Sequence, residues 1–308
     1  MQGGDIISSL LNACLLERDG EDCVKMHDVI RDMALWITRK FEATENKFFV
    51  KAGAQLFEEP DVKAWKRVKR MSVMKNEIQL LKETPKCPNL RTLFLSNNNL
   101  KVISDDYPNE DNVLNEGHEK LIEELKENLE HLEALQFLDC GIMEIKMEKL
   151  STWVSSSNCT SCFHALSTVQ IFHCKKLRDM TWLILAPNLR NLDITGCYEM
   201  EEILSEEKLG EVAGVIGVSY PKSFLKLETL DLRHLPKLKS IYWDALPFPC
   251  LKHILIKYCK ELKKLPLNLD SAKGNLLSIK GSKDWWARVE WENEVTRDAF
   301  LPSFKLLY

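Results

Sequence analysis

The sequence predicts an α/β solenoid, in which short strands from successive repeats stack side by side into one curved parallel sheet. One observation is a spacing of apolar residues, L-x-x-L-x-L-x-x-N/C-x-L, that is met in full by Leu90, Leu93, Leu95, Asn98 and Leu100. A second observation is that copies of this pattern recur at intervals typical of leucine-rich repeats, about 20–29 residues. Because each copy has one apolar side, the copies must stack to bury it.

Six further stretches follow the pattern with small departures. They begin at Val68, Leu132, Leu166, Leu189, Leu227 and Leu251. The copies that start at 166 and 189 are 23 residues apart, and those that start at 227 and 251 are 24 apart. In each central L-x-L, apolar residues alternate with others, so one side of the strand is expected to be buried and the other exposed. The Asn or Cys is expected where the chain leaves the strand and turns.

Two intervals are longer than the repeat allows. The 38 residues between the starts at 189 and 227 indicate a loop insert near 205–223. The 42 residues between the starts at 90 and 132 indicate an irregular insert near 101–131, which is rich in Asp and Glu. The second insert also carries leucines at helical spacing, at Leu121, Leu125, Leu129 and Leu132. It is therefore predicted to be a loop followed by a helix.

The first 50 residues have a different pattern. Asp5 is suited to cap a helix over residues 6–11, and Asp19-Gly20 lies between two short apolar runs, which is a strong hairpin signal. A second helix is predicted from an apolar stripe that includes Met26, Val29, Ile30, Met33, Ala34 and Ile37. Helix, hairpin and helix are typical of the end of a winged-helix domain. We therefore expect a partial winged-helix module over 1–50, a linker over 51–66, the repeats over 67–280 and a cap over 281–308.

Both ends of the chain carry a family resemblance. DIISSLLNACLLE and VKMHDVIRDMALWI closely resemble the end of the nucleotide-binding switch region in plant coiled-coil, nucleotide-binding, leucine-rich-repeat immune receptors. The C-terminal IKGSKDWWARVEWENEVTRDAFLPSF is similar to the tail of the same family. The resemblance implies that His27 contacts the phosphates of bound ADP and that Asp28 is its neighbour in a Met-His-Asp motif. A helix start is also where backbone N–H groups favour an anion.

The sequence departs from that family at the nucleotide pocket. No G-x-x-x-x-G-K-[ST] phosphate loop is present. We therefore expect this chain to bind no cofactor alone, whereas the full-length family binds ADP or ATP. The family resemblance, together with the missing phosphate loop, indicates a partial receptor.

The outward residues of the predicted strands are the candidate partner surface, since solenoids bind partners on this face. They include Phe94, Gln136, Phe172, His173, Asp193, Asp231, Arg233, Leu255 and Lys257. Three of them, Phe94, Phe172 and Leu255, would be exposed apolar anchors unless neighbouring side chains cover them. Late lysines, from Lys222 to Lys264, are either a solvated flank or a basic end for an acidic partner.

Other sites have weaker signals. Cys159-x-x-Cys162 lies near His164, His173 and Cys174, but one C-x-x-C without a second is a poor zinc signal. Trp285, Trp286 and Trp291 could form a stacking platform, although closing the last repeat is the favoured interpretation. No catalytic constellation is recognisable, so we do not expect an enzyme.

Bulk properties agree with a binding protein. The chain is 45% hydrophobic and 29% charged, which excludes a disordered tail, and its net charge of -4 argues against general nucleic-acid binding. We find no apolar run of about 18 residues that would span a membrane. No signal peptide is evident and the ten cysteines are scattered, so a cytoplasmic location is expected.

The family resemblance implies a role in innate immunity and plant defence. The repeats would recognise a pathogen effector or a modified host protein and restrain the nucleotide-dependent switch, with the nucleotide-binding region of an intact receptor as a second protein partner. The alternative is a leucine-rich-repeat adaptor that recruits substrates to a ubiquitin ligase. The Met26–Ile37 stretch argues against that alternative, because an adaptor would carry a ligase-binding module.

Overall fold

A computed structural model describes ten ranges of the chain. These ranges are 3–18, 24–41, 48–52, 68–77, 89–97, 131–139, 163–209, 224–246, 248–272 and 277–307. Within them, ten strands form one sheet in which every strand pairs in parallel with its neighbour in the sequence. This arrangement confirms the predicted α/β solenoid.

The N-terminal module has the predicted order of helix, hairpin and helix, but both helices start at other residues than predicted, and Met26 precedes the second helix. Helix α1 (Gly3–Asn12) is followed by a hairpin of β1 (Glu17–Arg18) and β2 (Val24–Lys25), and then by helix α2 (Asp28–Phe41). The expectation that Asp5 caps a helix starting at residue 6 is wrong, since α1 already includes Asp5. An acidic residue is favoured there by the positive end of the helix dipole, so Asp5 stabilises the first turn from within.

The sheet runs from β3 to β12, and in the described ranges one short helix lies between β7 and β8 and four lie after β10. The strands are β3 (Phe48–Ala52), β4 (Arg70–Met74), β5 (Thr92–Ser96), β6 (Ala134–Leu138), β7 (Thr168–Phe172), β8 (Asn191–Thr195), β9 (Thr229–Arg233), β10 (His253–Lys257), β11 (Ser278–Gly281) and β12 (Phe304–Leu306). The helices are the 3₁₀ helix η1 (Thr181–Leu185), α3 (Leu269–Ala272), α4 (Lys283–Trp286), α5 (Glu294–Phe300) and the 3₁₀ helix η2 (Leu301–Ser303).

Burial alternates along the strands, as the L-x-L pattern predicts. In β8, Leu192 and Ile194 are fully buried, whereas Asp193 between them is half-buried and faces away from the core. The buried positions of neighbouring strands are in register, so Ile194 lies between Ile171 and Leu232. The apolar residues of successive copies therefore form one continuous core rather than separate clusters.

The Asn/Cys position of the repeat pattern has a hydrogen-bonding role. The side chain of Asn76 donates to the backbone carbonyls of Lys51 and Met74, at 2.9 and 3.0 Å. In other copies a buried thiol takes this place and donates to the carbonyl two residues earlier, as from Cys197 to Thr195 at 3.8 Å. This side chain therefore satisfies backbone groups where the chain leaves the sheet.

The residue directly after each of the strands β4 to β10 has a left-handed backbone. These residues are Lys75, Asn97, Asp139, His173, Gly196, His234 and Tyr258. The N–H of each one from Lys75 to His234 donates to the carbonyl that ends the next strand, for example from His173 to Thr195 at 2.7 Å. Only Gly196 is a glycine, and a Cβ there would lie 2.5 Å from the Nδ1 atom of His173. The small residue therefore makes room for the His173 ring.

The sheet extends past both predicted boundaries of the repeat region. Strand β3 pairs with β4 although residues 51–66 were predicted to be a linker. Its pattern is broken because Lys51 stands in register with buried Val73, where an apolar residue would be expected. At the other end, β12 lies inside the predicted cap and pairs with β11.

The long inserts are described only in part. Residues 206–209 form a helical turn at the start of the predicted 205–223 insert. Lys208 pairs with Asp179 at 2.8 Å, and the backbone N–H of Ser205 donates to the hydroxyl of Thr181 at 3.0 Å. The start of this insert is thus fixed to the preceding repeat. Residues 210–223 and the predicted 101–131 insert, except for its final residue, lie outside the described residues.

The C-terminal tryptophans pack over the last strands. Trp285 is only 4% exposed, and its indole N–H donates to the carbonyl of Leu262 at 2.9 Å. Trp286 stacks on Phe304 with 4.4 Å between ring centres, and Trp291 stacks on Phe300 at 5.3 Å. Because these rings are engaged with each other and the core, the packing favours a cap over a stacking platform.

Every helix in the described ranges is too short or too polar to cross a bilayer.

Candidate partner-binding surface

The predicted partner residues lie on the solvent-facing side of the sheet, which we call the open face. Five of them occupy the middle position of their strands: Phe94, Gln136, Asp193, Asp231 and Leu255. Three more, Phe172, Arg233 and Lys257, occupy the last position of a strand. His173 directly follows β7 and is exposed. The structure therefore brings all nine together in neighbouring columns that run across the strands.

Strand register defines the central column of the open face. Its members from β5 to β12 are Phe94, Gln136, Gln170, Asp193, Asp231, Leu255, Lys280 and Lys305. Sequence reasoning missed three of them. Gln170 lies in the x of a clear L-x-L and could have been found from that signal. Lys280 and Lys305 lie in strands whose sequences do not follow the full pattern.

The predicted apolar anchors are partly covered. Phe94, Phe172 and Leu255 are each half-buried rather than fully exposed. Beside them, the side-chain amide of Gln136 donates to that of Gln170 at 3.3 Å. The column therefore offers apolar area and amide groups in its first part and charged groups further along.

Two aspartates in the middle of the column differ in their charge balance. Asp231 accepts two hydrogen bonds from the guanidinium of Arg233, at 2.7 and 2.6 Å. Among the described residues, Asp193 accepts from the hydroxyl of Thr195 alone, at 3.3 Å. Burial, together with the charge of Asp231, raises the pKa of Asp193 to about 6, although Arg233 and Thr195 oppose the shift. Asp193 is therefore ionised at neutral pH, and its partial burial in the charged form lowers the stability of the folded protein.

Replacing Asp193 with Asn should stabilise the protein at neutral pH. The pKa of Asp193 is raised in the folded state, so the folded protein binds this proton more strongly than the unfolded chain does. Proton binding therefore stabilises the fold at about pH 4, and this stabilisation is lost as the pH rises to about 6 and above. After discounting for solvent screening, we expect Asp193→Asn to raise the free energy of unfolding by about 1 kcal/mol at pH 7.5. This increase should shrink towards zero near pH 4. Urea denaturation at both pH values measures it.

The matched control is Asp298→Asn, which changes an exposed carboxylate and should show no such gain. An equal effect of Asp193→Asn at both pH values would contradict the proposed origin of its pKa.

A row of rings borders the charged part of the open face. The ring of His234 packs against that of Tyr258 with 4.6 Å between centres, and the ammonium of Lys257 lies 5.4 Å from the centre of the Tyr258 ring. Burial, followed by the charges of Lys257, His173 and Arg233, lowers the pKa of His234. This shift favours the neutral imidazole, so the row adds mainly uncharged surface beside the central column.

Several of the late lysines belong to the flanks of the solenoid. Lys237 pairs with Glu199, and Lys239 pairs with Glu201, at 2.6 and 2.7 Å. Lys252 pairs with Glu228 at 2.6 Å. Each pair joins one repeat to the next, and Lys239 lowers the pKa of Glu201 through a hydrogen bond. For these lysines the structure favours the solvated flank over a basic end that awaits a partner.

The Met-His-Asp residues lie at the start of α2. The Nδ1 atom of exposed His27 accepts from the backbone N–H of Val29 at 3.2 Å, so the neutral ring carries its proton on Nε2. Asp28 pairs with Arg31 at 2.7 Å. His27 thus caps the helix and keeps one N–H donor directed away from it, which is compatible with a phosphate contact. That contact stays a prediction.

The apolar stripe of α2 is less covered than its pattern predicts. Among the stripe residues, Val29 is 67% exposed, and Met33 and Ile37 are also exposed. Trp36, which lies outside the predicted stripe, is 61% exposed. An amphipathic helix ordinarily buries such a stripe. The module therefore presents apolar surface within this chain.

The cysteines of the repeats are structural. Burial raises the pKa values of Cys197 and Cys259 to about 12, and Cys174 is also buried. Since only the thiolate is reactive, these residues are unsuited to catalysis. Cys159 and Cys162, from the weak zinc signal, lie outside the described residues. No group of three His, Cys, Asp or Glu side chains in the described ranges is arranged to hold a metal.

This burial predicts a clear pattern of thiol reactivity. Iodoacetamide should modify exposed Cys14 and Cys250 in the native protein, whereas Cys174, Cys197 and Cys259 should react only after denaturation. Peptide mapping by mass spectrometry after a short pulse gives the result. Native modification of Cys197 as fast as that of Cys250 would contradict the repeat role of these cysteines.

Comparisons with known proteins agree with this architecture. Residues 141–274 match the family model described as "Plant disease resistance protein RPS2-like, leucine-rich repeats". The chain is 32% identical to disease resistance protein SUMM2 of Arabidopsis thaliana over 99% of its own length and 48% of that protein. It is also 32% identical to disease resistance protein RPS5 of the same plant, over 98% of its length and 48% of that protein. The chain thus spans about half the length of these relatives.

Solved structures of leucine-rich-repeat domains are more distant. The domain of the type III effector XopL is 17% identical, with 75% of this chain and 68% of that chain covered and a TM-score of 0.44. The domain of APL1B is 15% identical, with 92% and 94% covered and a TM-score of 0.36. These scores are low, so the assignment of the solenoid rests on the parallel sheet itself.

Proposed function

We propose that this chain acts in defence as the sensing part of a plant nucleotide-binding leucine-rich-repeat disease-resistance receptor, the kind of protein to which its Arabidopsis relatives belong. Its repeats would recognise a pathogen effector or a host protein altered by one. The open face carries this proposal, because it combines partly exposed apolar side chains with charges of both signs on a rigid sheet. Interfaces of this kind are mixed rather than uniformly apolar.

We propose that the N-terminal module contributes to the switch. His27 would donate from Nε2 to an ADP phosphate held by a nucleotide-binding region, and Asp28 would hold Arg31 beside it. The exposed apolar side chains of α2 support packing against such a region, since neighbouring exposed apolar side chains are typical of an interaction site. The chain alone is expected to bind no ADP. Partner binding to the repeats would shift the receptor between resting and active states.

We place this function in the cytoplasm. The cysteines of the described ranges are free thiols, among them exposed Cys14 and Cys250, and this supports a reducing compartment.

A complementation experiment in the source plant tests the proposal. Disrupting the gene should raise susceptibility to at least one strain in a pathogen panel, and the wild-type gene should restore resistance. The double variant Leu255→Glu/Lys257→Glu changes the open face and should fail to restore it at a normal protein level. The matched variant Lys260→Glu/Lys263→Glu also introduces two glutamates, on exposed residues after β10, and makes the chain at least as acidic, but it should restore resistance.

Two results would count against the proposed function. One is unchanged resistance after disruption across the panel. The other is full complementation by the open-face double variant.

A further inference from the structure

The central column has an ordered charge pattern along the solenoid. Asp193 and Asp231 on β8 and β9 are acidic, Leu255 on β10 is apolar, and Lys280 and Lys305 on β11 and β12 are basic. Strand register places these residues on one face in this order. A partner that matched only one sign of charge would therefore fit only part of the column.

The charges at the two ends of this pattern are available to a partner. Lys280 and Lys305 are exposed, and neither forms an ion pair with a described residue. Asp231 is compensated by Arg233, which leaves Asp193 as the carboxylate in the acidic part that has no ion pair with a described residue. Lys257, in the next column, adds to the positive charge beside Lys280. The column thus carries a net negative site and a net positive site, separated by Leu255.

The spacing of these sites matches an extended polypeptide. Neighbouring strands lie about 4.8 Å apart, so Leu255 is about 7 Å from the midpoint of β8 and β9 and about 7 Å from the midpoint of β11 and β12. In an extended chain, side chains that point to the same face are two residues apart, which is also about 7 Å. Alternate residues of an extended segment laid across the strands would therefore meet the acidic, apolar and basic sites in turn.

We propose that the central column binds an extended segment of a partner protein with a basic-x-apolar-x-acidic pattern. The basic side chain lies over β8 and β9 within reach of Asp193, the apolar side chain contacts Leu255, and the acidic side chain lies between Lys280 and Lys305. This inference rests on the proposed function in taking the open face as the partner surface. It adds the chemistry of the segment recognised there.

A synthetic peptide provides the probe. A fluorescent nonapeptide with Lys-Thr-Leu-Thr-Glu at its centre, flanked by Ser and Thr, is titrated with the full chain at low ionic strength and followed by anisotropy. We expect saturable binding that weakens as salt is added, because exposed charge pairs are screened. An isomer with Lys-Leu-Glu as consecutive residues has the same composition and net charge but the wrong spacing. It should bind about five-fold or more weakly, since at least one charge pair is lost.

Variants of the protein identify the contacts. Lys280→Glu/Lys305→Glu should weaken binding about ten-fold, since two attractive pairs become repulsive. The matched variant Lys260→Glu/Lys263→Glu should bind within about two-fold of the wild type, since its residues lie outside the column. A peptide with Lys in place of Glu should prefer the Lys280→Glu/Lys305→Glu variant to the wild type. This reversal cannot result from a loss of folding.

A double-mutant cycle tests the acidic site. Replacing the peptide lysine with norleucine should weaken binding to the wild type but have little further effect on Asp193→Asn. The inference is overturned if no saturable binding occurs, if the isomer binds equally well or if Lys280→Glu/Lys305→Glu leaves affinity unchanged. The proposed function would survive these failures, because it is decided by complementation in the plant.

Discussion

Replacing Trp285 with Ala is expected to lower the free energy of unfolding by about 3–5 kcal/mol, as for other large aromatic residues cut back in a core. The indole is nearly fully buried and donates to the carbonyl of Leu262. It also lies against Gly281, where an added Cβ would come within 2.4 Å of its ring. The substitution would leave a cavity and an unpaired carbonyl at the same place. Since the cap covers the last strands, unfolding should begin there.

Trp243→Ala is the matched control, because this ring is 42% exposed. It should cost no more than about 1 kcal/mol. Urea denaturation followed by circular dichroism gives both values. Similar losses for the two tryptophans would mean that Trp285 does not close the core.

Ile194→Ala is expected to cost about 2–5 kcal/mol, the range for removing a large aliphatic side chain from a core. Ile194 is fully buried between Ile171 and Leu232, which are its register partners on β7 and β9. The cavity would weaken the contacts with both neighbouring repeats. Stability in a solenoid comes from such nearest-neighbour contacts, so a central defect should affect both halves.

The neighbouring residue provides the control. Thr195 is half-buried on the open face, and Thr195→Ala should cost less than about 1 kcal/mol. Urea denaturation of both variants tests the alternation directly. If Thr195→Ala lowered the free energy of unfolding more than Ile194→Ala, the side of β8 that carries Thr195 would be the one in the core, contrary to this account.

The sequence was sufficient to place the strands wherever the repeat pattern is intact. Leu192 and Ile194 are buried where the L-x-L predicts. Cys197 is buried at the predicted Asn/Cys position, where its thiol donates to the carbonyl of Thr195 as the chain leaves the strand. Strand β3 was not predicted because Lys51 occupies an apolar position of the pattern. Strand β12 was not predicted because Phe304 packs on Trp286 of the cap, a contact that no repeat spacing reveals.

The position of the open face also followed from alternation, but its electrostatics did not. Asp193 differs from Asp231 because Arg233, on the same strand as Asp231, pairs with Asp231 and forms no ion pair with Asp193. The repeat spacing does not show which of the two carboxylates the guanidinium pairs with. Glu228 pairs with Arg190 and Lys252, which are 38 and 24 residues away. The exposure of Val29 was not predicted either, because an amphipathic pattern shows which residues share a face and not what covers them.

Distances along the central column test the account most directly, because the partner surface exists only if the strands form one in-register ribbon. A spin label at Phe94, paired in turn with labels at Asp231, Leu255, Lys280 and Lys305, can be measured by double electron–electron resonance. Four to seven strand spacings separate these pairs, so the distances should rise steadily from about 19 to about 34 Å, shortened slightly by curvature. Distances that do not follow the strand order would contradict the continuous open face and the partner surface built on it.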